Sequence, residues 1–178
     1  MQALGRLVLA AALAVAATPA HAQPSERAVK AAFIPKFARY VQWPAARHPG
    51  PREPFHLCVI GRDPFGTILD RAAANEQIEG RAVTVRRLPS ADGAAGCHLA
   101  FVRGAAPTET TRLLLALRAQ PVLTITDSRV GPQRGMIHFT VAGGRVRFFV
   151  DDAAAAERGL SISSRLLALA LGVRQRRS

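Results

Sequence analysis

Two cysteines, a scatter of histidines and two aspartates at the ends of apolar runs are the residues of this chain with the means to do chemistry. Cys58 and Cys97 are its only thiols. His56 and His98 lie close to them in sequence, and a thiol beside an imidazole is the composition of an activated nucleophile. Each cysteine also sits in a short apolar run, where it reads either as a buried free thiol or as half of a disulfide. His48, His56, His98 and His138 are spread singly, with no H-x-x-H, H-E-x-x-H or C-x-x-C spacing to gather a metal. No G-x-S-x-G elbow is present. Asp63 and Asp127 each follow an apolar run, the position where open α/β sheets take up ligands. Asp also caps turns in that position, which makes capping the simpler reading of both. Gly131 to Gly135 and Gly143-Gly144 lack the spacing of a phosphate loop. These residues call for no enzyme activity, no metal and no cofactor.

The elements that position these residues follow from the periodicity. Ser25 caps a helix whose apolar positions Val29, Phe33, Phe37 and Val41 recur every four residues, with Pro35 set to kink it and Trp43-Pro44 to end it. Phe55 to Ile60, Ala82 to Leu88, Cys97 to Val102 and Pro121 to Thr126 read as strands. Helices over Phe65 to Ala74 and Thr108 to Arg118 fall between them. Met136 to Val141 and Arg145 to Val150 flank Gly143-Gly144, a hairpin signal because glycine accepts the positive φ of a tight turn. A short helix over Ala153 to Arg158 and a last one capped by Ser163 or Ser164 complete the pattern. Alternating strands and helices predict an α/β fold: a three-layer sandwich, mainly a parallel sheet, with helices on both faces and the late antiparallel hairpin added. In that fold Arg62, Asp63, Phe65 and Asp127 line a crevice at the strand ends as partner- or ligand-binding residues. Trp43 joins them as an aromatic suited to a partner.

The N-terminus sets the compartment. Arg6, the apolar run Leu7 to Ala17 and Ala20-His21-Ala22 form the three parts of a cleavable signal peptide, expected to span residues 1–22. The run is too short to cross a bilayer, which takes about 20 apolar residues. Residues 23–178 then form one domain with room for a proper core. The formal charge of +12 invites a nucleic-acid reading. Export and the scatter of the basic residues exclude it: all but Lys30 and Lys36 are arginines, most of them set singly among Ala, Gly and Pro. The dense cluster Arg174, Arg176 and Arg177 is expected at a frayed C-terminus.

Six stretches, in order, then carry a family likeness: Lys30 to Pro44 (KAAFIPKFARYVQWP), Leu57 to Leu69 (LCVIGRDPFGTIL), Gly96 to Val102 (GCHLAFV), Pro121 to Asp127 (PVLTITD), Gly135 to Phe148 (GMIHFTVAGGRVRF) and Gly159 to Ala170 (GLSISSRLLALA). In these the chain resembles the YfiR family of small periplasmic proteins. The resemblance implies an α/β sandwich that tends to form homodimers, with Cys58 and Cys97 matching a family cysteine pair. It also implies a regulator that holds down an inner-membrane diguanylate cyclase through that enzyme's periplasmic sensor domain. An OmpA-like outer-membrane lipoprotein would relieve the inhibition, raising cyclic di-GMP and biofilm formation. The alternative is a small-molecule-binding accessory module of another membrane sensor or transporter. The chain departs from the family at Pro35-Lys36 and Phe149-Val150-Asp151, and it lacks a second cysteine pair near the hairpin.

Overall fold

A computed structural model describes residues 24–50 and 53–176. The signal peptide expected over 1–22 lies outside the described residues. Helix α1 (Glu26–Phe37) leads to strand β1 (Val41–Gln42), followed by β2 (Phe55–Gly61), α2 (Thr67–Ala74), β3 (Gln77–Ile78) and β4 (Arg81–Leu88). Next come β5 (Leu99–Arg103), α3 (Pro107–Leu117), β6 (Leu123–Asp127), β7 (Ile137–Ala142) and β8 (Arg145–Asp151). The chain closes with α4 (Asp152–Ala156), β9 (Ser161–Ile162), α5 (Ser164–Leu169) and β10 (Gly172–Arg174). Eight strands form one sheet in the order β10-β8-β7-β6-β5-β2-β4-β3, and β1 pairs antiparallel with β9 in a second, two-stranded sheet. In the large sheet only the β7–β8 and β3–β4 pairs are antiparallel.

Alternation along the central strands divides the core between two layers. Leu57 and Val59, Leu99 and Phe101, and Leu123 and Ile125 face one side, packed with α1, α2, α4 and α5. Cys58 and Ile60, and Ala100 and Val102, face the other, beneath α3 with Leu113 and Leu117. The expected α/β sandwich with helices on both faces is the observed one. Gly143 (φ +56°) and Gly144 (φ +71°) both take the left-handed conformation, and the expected hairpin forms around them.

Two expectations are corrected. The helical stripe ending in Val41 is cut short: α1 ends at Phe37, two residues beyond Pro35, tightens into a 3-10 turn and delivers Val41 to β1. Its buried face runs through Lys30, Ala31, Ile34 and Phe37, so Val29 is only partly covered and Phe33 is 37% exposed. The helix is rotated because Lys30 turns inward to reach a carboxylate on β6. The C-terminus is also no frayed end as far as Arg176. Gly172 to Arg174 add a parallel edge strand to β8, and Arg174 and Arg176 pair with Asp151 and Asp152.

Cys58 and Cys97 are joined in a disulfide, with Cα atoms 5.9 Å apart and both side chains fully buried under the α3 layer. The thiol-nucleophile reading has no free sulfur to act on. The bridge closes a loop across 39 positions of sequence, which restricts the unfolded chain by about 4 kcal/mol in the chain-entropy account. Replacing both cysteines by alanine is therefore expected to lower the urea midpoint of the mature protein, with a loss of unfolding free energy of that order. A midpoint that is the same with and without reductant in the wild type would contradict the bridge.

Candidate functional site

The residues singled out in the sequence separate into two groups at opposite ends of the sheet. Trp43 belongs to the end where the parallel strands begin. Its ring meets Phe55, the first residue of β2, edge-on at 5.1 Å, and its Nε1–H donates to the His98 carbonyl just before β5. It is 8% exposed and serves as core. His98 stacks on Phe55 at 4.6 Å, and its Nδ1 accepts the backbone N–H of His56 at 3.0 Å. Arg47 donates to the Cys97 carbonyl beside it. Burial, followed by the nearby His56 and Arg47, pushes the His98 pKa down to about 4. A proton on Nδ1 would also set an N–H against the His56 N–H.

The other group gathers where the strands end. Gly61 closes β2 with φ +84°, and a Cβ there would stand 2.3 Å from the Arg103 carbonyl oxygen. Only glycine lets the β2 and β5 ends come close enough for Arg62 N–H to donate to that oxygen at 2.7 Å. The Arg62 side chain is exposed. Asp63 Oδ1 accepts the backbone N–H groups of Phe65 (2.7 Å) and Gly66 (3.1 Å), and its Oδ2 accepts from Arg87 Nε at 2.7 Å. Burial opposes its charge, but these donors outweigh that and hold its pKa below the usual carboxylate value. Asp63 is a turn cap. Phe65 is 4% exposed and packs edge-on against Phe101.

Asp127 is the member of the sequence-derived set with a long-range charged partner in the crevice. Its Oδ2 accepts from Lys30 Nζ at 2.6 Å, and its Oδ1 accepts the backbone N–H of Arg129 at 3.1 Å. Lys30 is 2% exposed and also pairs with Glu26, one helical turn back, while Glu26 in turn holds the Arg129 guanidinium. Hydrogen bonds from Arg129 and then Lys30 lower the Glu26 pKa to about 2. These groups border a crevice of about 510 Å³ that Arg27, Phe65 and Arg103 also line. Arg62 and Asp63 are not among its lining residues. Glu26, Lys30, Arg103 and Arg129 are functional candidates that periodicity and motif did not single out. The available signal was Lys30: one of two lysines in an arginine-rich chain, four residues after an acid, inside an apolar helix.

Chemically, the crevice can neutralise and orient an anion. Among the described residues no cluster of three or more His, Cys, Asp or Glu side chains is placed to hold a metal ion. No helix among them is long and apolar enough to cross a membrane.

The fold is of the mixed α/β class, with a charged crevice at its strand ends, the place where open α/β sheets take up ligands. Residues 27–171 match the model of the YfiR/HmsC-like family, and the chain belongs to that family. No curated protein matches the chain. The family is one of periplasmic regulators rather than catalysts.

The two ends of the sheet generate separate expectations. With His98 titrating near 4 when folded and near 6.5 when unfolded, the unfolded chain binds the extra proton between those values. Stability therefore falls as pH drops from 6.5 to 4, by on the order of 3 kcal/mol from this group. Trp43, the sole tryptophan, reports the transition by fluorescence. His98→Asn, whose amide oxygen can replace Nδ1 as acceptor, should flatten that slope; an unaltered slope would remove His98 as its source. At the other end, Lys30→Met strands a carboxylate that is 12% exposed and should cost on the order of 3 kcal/mol in urea unfolding. Adding Asp127→Asn should recover a large share of that loss, whereas simple additivity of the two changes would deny the pair any coupling.

Proposed function

We propose that the mature protein is a periplasmic regulatory binding protein that represses an inner-membrane signalling enzyme of the diguanylate cyclase type through its periplasmic sensor domain. The observation that carries this reading is membership of the YfiR/HmsC-like family over residues 27–171. The N-terminal pattern of Arg6, Leu7 to Ala17 and Ala20-His21-Ala22 supports export. The buried disulfide suits an oxidising compartment. In this reading the partners are the sensor domain, a second copy of the chain, and an OmpA-like outer-membrane lipoprotein that withdraws the repressor.

A second reading, a small-molecule-binding accessory module of another membrane sensor or transporter, is favoured by one feature. That feature is the crevice bordered by Lys30, Arg103 and Asp127.

Deletion of the gene is expected to raise cyclic di-GMP and surface attachment, and export of the wild-type protein from a plasmid should reverse both. Unchanged cyclic di-GMP in the deletion strain would remove the cyclase from this account. A cytoplasmic version lacking residues 1–22 should fail to complement.

A further inference from the structure

Arg103 is the last residue of β5, and Asp127 is the last of β6. Each lies two positions beyond the paired residues Phe101 and Ile125. Their side chains therefore project from the same face of adjacent strands, as near neighbours. An arginine next to an aspartate in this register ordinarily forms an ion pair. Here Asp127 has given Oδ2 to Lys30 and Oδ1 to the Arg129 backbone. Arg103 has no carboxylate within salt-bridge distance among the described residues, and its buried Nε has no hydrogen-bond partner among them. That Nε is enclosed, so the part of Arg103 that lines the crevice and could meet a ligand is the rest of its side chain.

Arg103 lines the crevice together with Arg27, which is exposed and forms no ion pair among the described residues. The other two cations of the crevice, Lys30 and Arg129, are matched by Glu26 and Asp127. The crevice thus carries two unmatched guanidinium groups beside an apolar wall of Pro64 and Phe65. A guanidinium presents parallel N–H donors at the spacing of two oxygens of a carboxylate or phosphate.

The geometry points to a binding site for a small oxyanion, a carboxylate or a phosphate, received by Arg103 and closed over by Arg27. The preformed Lys30–Asp127–Glu26–Arg129 network is the frame of the site: it occupies the acids that would otherwise quench Arg103. This assignment deepens the second reading above by giving its ligand a chemical class, and it is independent of cyclase repression. Loss of the anion site would leave a cyclic di-GMP phenotype intact, and an absent phenotype would leave the anion site intact.

The test uses the mature full-length protein at constant ionic strength, titrated with sodium phosphate in one arm, sodium succinate in another and sodium chloride as the reference. Binding is expected to raise the thermal midpoint saturably over the chloride reference in at least one oxyanion arm. The arm that saturates identifies which oxyanion is the ligand. Arg103→Gln should weaken that binding at least ~10-fold, about 1.4 kcal/mol. Arg62→Gln, on an exposed side chain outside the crevice, should leave it within ~2-fold, well inside that step. A second measurement needs no variant: the Arg103 Nε–H resonance should shift on titration with the oxyanion and stay fixed in chloride. Identical midpoints in all three salts, or equal binding by wild type and Arg103→Gln, would overturn the assignment.

Discussion

The rest of the structure is arranged around a lysine ammonium taken out of water. Lys30 is all but inaccessible, and a charge so placed is tolerated only when partners replace its hydration. Glu26 and Asp127 do so from two directions, one along the helix and one from the end of β6. The pairing fixes how α1 is rotated against the sheet, and the rotation has consequences along the whole element. It buries Ile34, sets Phe37 against Phe139 and Phe148, leaves Phe33 at the rim, and brings Glu26 within reach of Arg129. A purely apolar helix would have several acceptable rotations on this surface. The ion pair selects one of them.

The two ends of the sheet are built from opposite materials. At the starting end of the strands, stacked and edge-on rings around Phe55, Trp43 and His98 exclude water and keep an imidazole neutral. At the finishing end, guanidinium and carboxylate groups meet across loops that turn sharply into helices. The disulfide lies between these ends, inside the α3 layer, and ties β2 to the segment that leads into β5. At the charged end Phe65, packed on Phe101, is the large apolar side chain that anchors the turn.

Much of the fold was legible in the sequence because the central strands are nearly continuous apolar runs and the first and last helices open on serine caps. Four short strands, β1, β3, β9 and β10, were not legible. Two or three residues hold no periodicity, and their pairing is decided by what the rest of the sheet presents to them. The C-terminal arginines read as solvated charge because their partners, Asp151 and Asp152, are more than 20 positions earlier. The candidate site was legible in part. Asp127 and the strand-end position followed from fold logic, but Arg103 falls one residue beyond the apolar run Cys97 to Val102, and Lys30 stood out only as one of two lysines. Trp43, Arg62, Asp63 and Phe65 had the right residue types, and the backbone spends three of them on packing and turn capping. Sequence spacing carries local geometry well. It does not carry which of several nearby acids a given cation has claimed.

The strands that bound the large sheet are its shortest: β3 has two residues and β10 has three. Acids adjoin the first, with Glu76 and Glu79 on either side of it, and Arg174 ends the second. A free strand edge is a template for another chain, and natural sheets blunt it with brevity and charge. β3 covers only Arg81 and Ala82 of β4, so the β4 backbone from Val83 to Leu88 is paired on the β2 side alone, with Arg86 and Arg87 supplying the charge along that edge.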